Sequence, residues 1–130
     1  MNVGIFSGSF NPIHVGHLIL ANYIVEFTEI DEVWLLVSPQ NPFKVNENLL
    51  DEDTRLEMTK LAVADYPKLK ACDFEFSLPK PSYTVNTLTE LKKEFPENDF
   101  TLIVGADNWS VFEDWKNHDE IIEKFKLRIY

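Results

Sequence analysis

Cysteine, glycine and positive charge are all scarce in this chain of 130 residues. A lone Cys72 cannot close an intrachain disulfide, and no cysteine–histidine spacing suggests a zinc site. Lysine and arginine together number 12 against 22 acidic residues, a net charge of −10. That balance argues against a nucleic-acid surface, which depends on clustered cations. It does not exclude a small phosphorylated ligand, because a few donors inside a cleft can dominate the local field. No apolar run approaches the roughly 20 residues that a bilayer requires, and no basic stretch leads the chain as in a signal peptide. Repeats and low-complexity segments are also missing. The expectation is one soluble, cytoplasmic domain bound to neither membrane nor nucleic acid, with a homo-oligomer left open.

What is present is concentrated near the amino terminus. Met1-Asn2-Val3-Gly4-Ile5-Phe6 reads as a strand, and Leu18 to Val25 is too long and too apolar for a loop, so it reads as a buried helix. Between them lies Ser7-Gly8-Ser9-Phe10-Asn11-Pro12-Ile13-His14-Val15-Gly16-His17. A small-residue turn feeding a helix start suits an anion, since the first helical amides lack internal partners and the aligned dipoles favour negative charge. His14 and His17, three apart, share one face of that first turn. Gly8 and Gly16 carry no Cβ, so ligand atoms can come close to the backbone at both.

Further along, Val33 to Val37 is a continuous apolar run, as a strand covered on both faces requires. Residues 39–48 follow as a polar loop whose only cation is Lys44, a candidate hand on a phosphate. Asp51 or Asp53 can cap a second helix with Leu56, Met58, Leu61, Ala62 and Val63 inward and Arg55 and Lys60 toward solvent. Leu69 to Phe76 partly alternates and suggests an edge strand. Ser82 or Thr84 can cap a third helix carrying a stripe of Val85, Leu88, Leu91 and Phe95. Phe100 to Val104 reads as a buried strand ending in Gly105-Ala106-Asp107, a second candidate ligand corner. There Asp107 either accepts from ribose hydroxyls or caps the next helix. A short helix from Asp119 to Lys124 and a strand-like Phe125 to Tyr130 complete the chain. Alternating strands and helices predict an α/β fold: a Rossmann-like parallel sheet flanked by helices, strand order 3-2-1-4-5, with ligand across the carboxyl ends.

The run from Gly8 to His17 resembles the signature with which the His-x-x-His nucleotidyltransferases hold the triphosphate of ATP. Within that group it is similar to the bacterial nicotinate-nucleotide adenylyltransferases, with Ser7 standing where a first glycine is common. The resemblance extends to Pro42-Phe43-Lys44, which keeps the lysine of a Pro-x-x-Lys-like element, and to Ser82-Tyr83-Thr84-Val85-Asn86-Thr87-Leu88, similar to the loop that helps bind nicotinate mononucleotide. It also includes Gly105-Ala106-Asp107 and the tryptophan at Trp115, whose ring stacks on the pyridine in that family.

The resemblance implies adenylyl transfer from ATP to nicotinate mononucleotide, giving nicotinate adenine dinucleotide and pyrophosphate. His14, His17 and Lys44 would be catalytic. Gly8, Ser9, Phe10, Gly16, Gly105 and Asp107 would bind ATP, and Thr84 and Trp115 the mononucleotide. Mg²⁺ would ride mainly on the ATP phosphates, with no metal held by protein ligands. Family members continue past the equivalent of Tyr130 with a second phosphate-binding element, so residues 1–130 are expected to be one nucleotidyltransferase domain lacking its C-terminal part. Phosphopantetheine adenylyltransferase shares the histidine motif, and a non-catalytic nucleotide-binding module is the reading from a different class.

Overall fold

A computed structural model describes residues 1–39, 50–79, 83–105 and 118–130. In chain order these form β1 (Asn2–Gly8), α1 (Val15–Phe27), β2 (Glu32–Val37), α2 (Glu52–Val63), β3 (Leu69–Cys72), a 3-10 turn (Phe74–Ser77), α3 (Thr84–Glu94), β4 (Asp99–Val104), α4 (His118–Lys124) and β5 (Lys126–Ile129). The five strands make one sheet in the order β3-β2-β1-β4-β5, and every neighbouring pair is parallel. This is the predicted topology.

Strand periodicity divides the apolar residues between two cores. Val33, Leu35 and Val37 of β2 join Ala21, Ile24, Leu56 and Val63 on the face covered by α1 and α2. Val3, Ile5, Phe100, Leu102 and Val104 point the other way and pack with Val85, Leu88, Leu91 and Ile121 beneath α3 and α4. Both faces of β1, β2 and β4 are therefore covered, which is why these strands read as unbroken apolar runs. Gly4 in β1 leaves room for Ile103, whose Cδ1 lies 2.7 Å from where a Cβ would stand.

Several expectations are corrected here. Helix α1 is not buried all round: Ala21, Ile24 and Val25 face the sheet, while Val15, Ile19, Tyr23 and Phe27 are more than half exposed. An outer-layer helix meets the sheet along one stripe only. In α2 the inward positions are Arg55, Leu56, Thr59 and Val63, whereas Met58 and Leu61 face water. Asp51 caps α2, accepting from the Thr54 amide at 2.6 Å. β3 is an edge strand as expected but stops at Cys72, because the chain coils into the 3-10 turn instead of pairing on. Among the described residues no helix is long and apolar enough to cross a membrane.

Candidate functional site

The site is built where β1, β2 and β4 end on the same edge of the sheet. β1 runs two residues beyond its apolar stretch, with Ser7 opposite Leu36 and Gly8 opposite Val37. The chain then turns through residues 9–13, with a cis bond between Asn11 and Pro12, before α1 begins. Phe10 takes the left-handed backbone region at φ 49°, unusual for a side chain of that size. Its ring is buried at 2 % exposure. It meets His17 edge-on, with centroids 5.0 Å apart. Phe10 thus borders the cleft chiefly as the floor that backs His17.

The two histidines close the start of α1 on themselves. Nδ1 of His14, the N-cap, accepts the Gly16 amide at 3.0 Å, and Nδ1 of His17 accepts the His14 amide at 3.1 Å. The His17 amide goes to the His14 carbonyl at 3.0 Å. The amides expected to be bare at this helix start are therefore engaged. What replaces them is a pair of imidazoles stacked with centroids 3.7 Å apart. Because each Nδ1 is an acceptor, the proton of each neutral ring sits on Nε2, which remains to donate outward. Burial, then the neighbouring His14, hold the His17 imidazole below the ordinary histidine range, so that ring is neutral at physiological pH. Gly16 leaves room for the His14 ring: a Cβ there would stand 2.9 Å from Cε1 of His14.

Gly8, Ser9, Phe10, His14, His17 and Gly105 converge around one open cleft of about 580 Å³. Gly105 arrives because β4 is hydrogen-bonded to β1 and ends beside it. The two glycine corners predicted separately are thus two walls of one cavity. Thr84 does not line it. Thr84 is the first residue of α3, whose N-cap is Tyr83 with no side-chain cap bond, so its expected capping role is not realised. Ser82, Lys44, Asp107 and Trp115 lie outside the described residues. Among the described residues, no lysine or arginine lines the cleft.

Two buried ionisable groups near this edge escaped the sequence reading. Arg55, expected in solvent, is fully buried and bonds to backbone carbonyls. Its only sequence signal is its place one turn before Thr59 on the inward side of α2. Glu75, in the 3-10 turn, is 5 % exposed and accepts the Thr87 hydroxyl at 2.6 Å. Burial raises its carboxyl above the usual range, and hydrogen bonds from Thr87 and Ser38 partly oppose this. The Glu75 bond joins the turn after β3 to the first turns of α3.

Among the described residues, no three of His, Cys, Asp and Glu converge to hold a metal ion. The cleft offers imidazole, hydroxyl and amide donors, which suit phosphate oxygens better than a hard cation.

The cytidylyltransferase-like family pattern matches residues 5–130. The "Probable nicotinate-nucleotide adenylyltransferase" of Cytophaga hutchinsonii is 55 % identical over 130 residues, covering 100 % of this chain and 68 % of that protein. The chain belongs to the cytidylyltransferase-like family, on its nicotinate-nucleotide adenylyltransferase branch. It spans about two-thirds of the length of the curated relatives it matches, from 63 % to 68 % among the first three. A solved structure from Vibrio parahaemolyticus has a TM-score of 0.82 at 23 % identity, covering 98 % of this chain and 72 % of the other. The Plasmodium falciparum nicotinic acid mononucleotide adenylyltransferase complexed with NaAD has a TM-score of 0.79 at 21 % identity, covering 99 % of this chain and 74 % of the other. At those identities the likeness is one of fold.

Proposed function

We propose that this chain carries the ATP-binding cleft of an enzyme that transfers the adenylyl group of ATP to nicotinate mononucleotide. A phosphate oxygen of the mononucleotide bonds to the α-phosphorus, the bond to the β-phosphate oxygen breaks, and pyrophosphate leaves with nicotinate adenine dinucleotide as the other product. No protein nucleophile takes part. The work left to the protein is positioning and stabilisation of charge that builds on the transferred group.

The observation that carries this reading is the stacked His14–His17 pair at the cleft mouth. Both Nε2 groups donate to non-bridging phosphate oxygens, and their locked tautomer means that they need no reorganisation during the reaction. Ser9, Gly8 and Gly105 line the path of the triphosphate, while Phe10 keeps the His17 ring in register. Lys44, by its match to the family's loop lysine, adds a cation to the leaving phosphates. Asp107 takes the ribose hydroxyls, and Thr84 and Trp115 the pyridine end of the mononucleotide. Magnesium would be held chiefly by the ATP rather than by protein ligands, and would supply neutralisation that the acidic chain does not. The relatives at about 50 % identity support nicotinate mononucleotide as the acceptor.

The test is pyrophosphate release by the full chain with ATP and each of three acceptors: nicotinate mononucleotide, nicotinamide mononucleotide and phosphopantetheine. Release with the nicotinate form at more than ten times the rate of either rival is expected. Preference for phosphopantetheine, or binding of ATP without release in any mixture, would overturn the proposal.

A further inference from the structure

Arg55 is a buried cation with no carboxylate ion-pair partner among the described residues. Its side chain has no exposed surface. Nε donates to the Leu50 carbonyl at 2.9 Å, and Nη1 donates to the carbonyls of Ser9 and Ser38, each at 2.7 Å. Those acceptors come from three places: the turn after β1, the end of β2 and the residue before the Asp51 cap of α2. Leu50 is held from its other side too, its amide donating to Oδ1 of Asn11 at 3.0 Å. Ser38 donates its own amide to the Gly8 carbonyl at 2.9 Å. The guanidinium is therefore the common knot of the phosphate turn and of Ser38 and Leu50, which flank residues 40–49.

Its charge is incompletely answered. Among the described residues no acid forms an ion pair with it; burial opposes its charge, and Glu52 and then Asp51 favour it electrostatically. Nη2 is buried with no hydrogen-bond partner. Moving a guanidinium out of water costs several kcal/mol unless opposite charge answers it, and neutral carbonyls answer only part. The guanidinium lies against the Ser9 carbonyl, behind the wall of a cleft whose described lining holds no lysine or arginine.

We propose that Arg55 is a positioning residue for the triphosphate: it fixes the Ser9 turn from below and supplies positive field that the described cleft lining lacks. This rests on the cleft being the ATP site. Arg55 touches no substrate; it acts through Ser9 and through its charge. A residue needed only for folding would affect both substrates alike, whereas this role weights the triphosphate.

Calorimetric titration of the full chain with ATP, inorganic tripolyphosphate and nicotinate mononucleotide separates these cases. Arg55→Met is expected to weaken ATP and tripolyphosphate at least tenfold while leaving the mononucleotide within twofold. Arg55→Lys keeps the charge but cannot reach three carbonyls, so it should fall between the two and recover part of the affinity for both polyphosphates. Should Arg55→Met fail to fold by circular dichroism, Arg55→Lys carries the test with a threefold or greater loss for the polyphosphates alone. Equal losses for ATP and mononucleotide, or either folded variant binding ATP as the wild type does, would overturn the inference. A wild-type chain that binds neither ATP nor tripolyphosphate would instead overturn the ATP reading on which it rests.

Discussion

Helices α1 and α3 both start at the carboxyl edge of the sheet, yet their first turns are finished differently. At α1 two imidazoles cap the first amides and offer their own N–H groups in exchange. At α3 the N-cap Tyr83 contributes no side-chain cap bond, and the buried Thr87–Glu75 bond anchors the helix one turn further in. The first arrangement suits a polyphosphate: two donors at fixed spacing at the mouth of one cleft. At the second, the Asn86 and Thr87 amides both go to the Tyr83 carbonyl. A single physical device, the start of a helix, is thus finished in two different ways.

The strongest blow to this contrast is His17→Ala. Pyrophosphate release should fall by about 10²–10³ in kcat/KM, the effect of removing one donor to developing charge. Stability should fall by only about 1 kcal/mol, the usual value of a cap. A collapsed melting temperature with normal turnover would reverse the assignment. Gly16→Ala probes the same pair indirectly. Its methyl would stand 2.9 Å from Cε1 of the exposed His14 ring, which must swing aside. We expect about tenfold lower kcat/KM, with a stability change under about 0.5 kcal/mol because the ring has room to move. At the other helix, Thr84→Ala removes no cap. It should leave melting unchanged and raise KM for the mononucleotide severalfold without altering KM for ATP; a shift in the ATP value would blur the division between the two starts.

The smallest effect concerns Glu75. Its carboxyl is raised, so the folded chain binds the proton more tightly than the unfolded chain does. The stability this contributes is present below the ordinary glutamate value and is lost as pH rises through the raised one. Glu75→Gln should therefore melt about 2 °C higher than wild type at pH 7.5, converging with it near pH 4. A constant difference across that range, read by thermal denaturation, would place the carboxylate's neutralisation elsewhere.

Much of this was legible in the sequence because burial on both faces leaves a strong trace. Val33 to Val37 and Phe100 to Val104 announced covered strands, and the alternation of elements gave the sheet order. Asp51 and Asp53 together marked the start of α2, and the structure chose Asp51 as its cap. The histidine spacing identified the cleft, but not that each Nδ1 turns inward, since that is a rotamer decided by two backbone amides. Arg55 was illegible for a different reason. Its partners Ser9 and Ser38 are 46 and 17 residues away and offer only carbonyl oxygens, so nothing in their side chains marks the contact. Met58 and Leu61 misled in the opposite sense, since apolar residues on an outer helix are often left in water.

The central claim is that His14 and His17, each carrying a proton on Nε2 and accepting through Nδ1, donate jointly to a polyphosphate. Long-range ¹⁵N–¹H correlation spectra of the imidazoles, recorded while ATP is added at pH 7.5, test it most directly. The account predicts both rings as Nε2–H tautomers before addition, with both Nε2 signals moving on saturation and Nδ1 moving less. Protons found on Nδ1, or imidazole signals unmoved by saturating ATP, would contradict it.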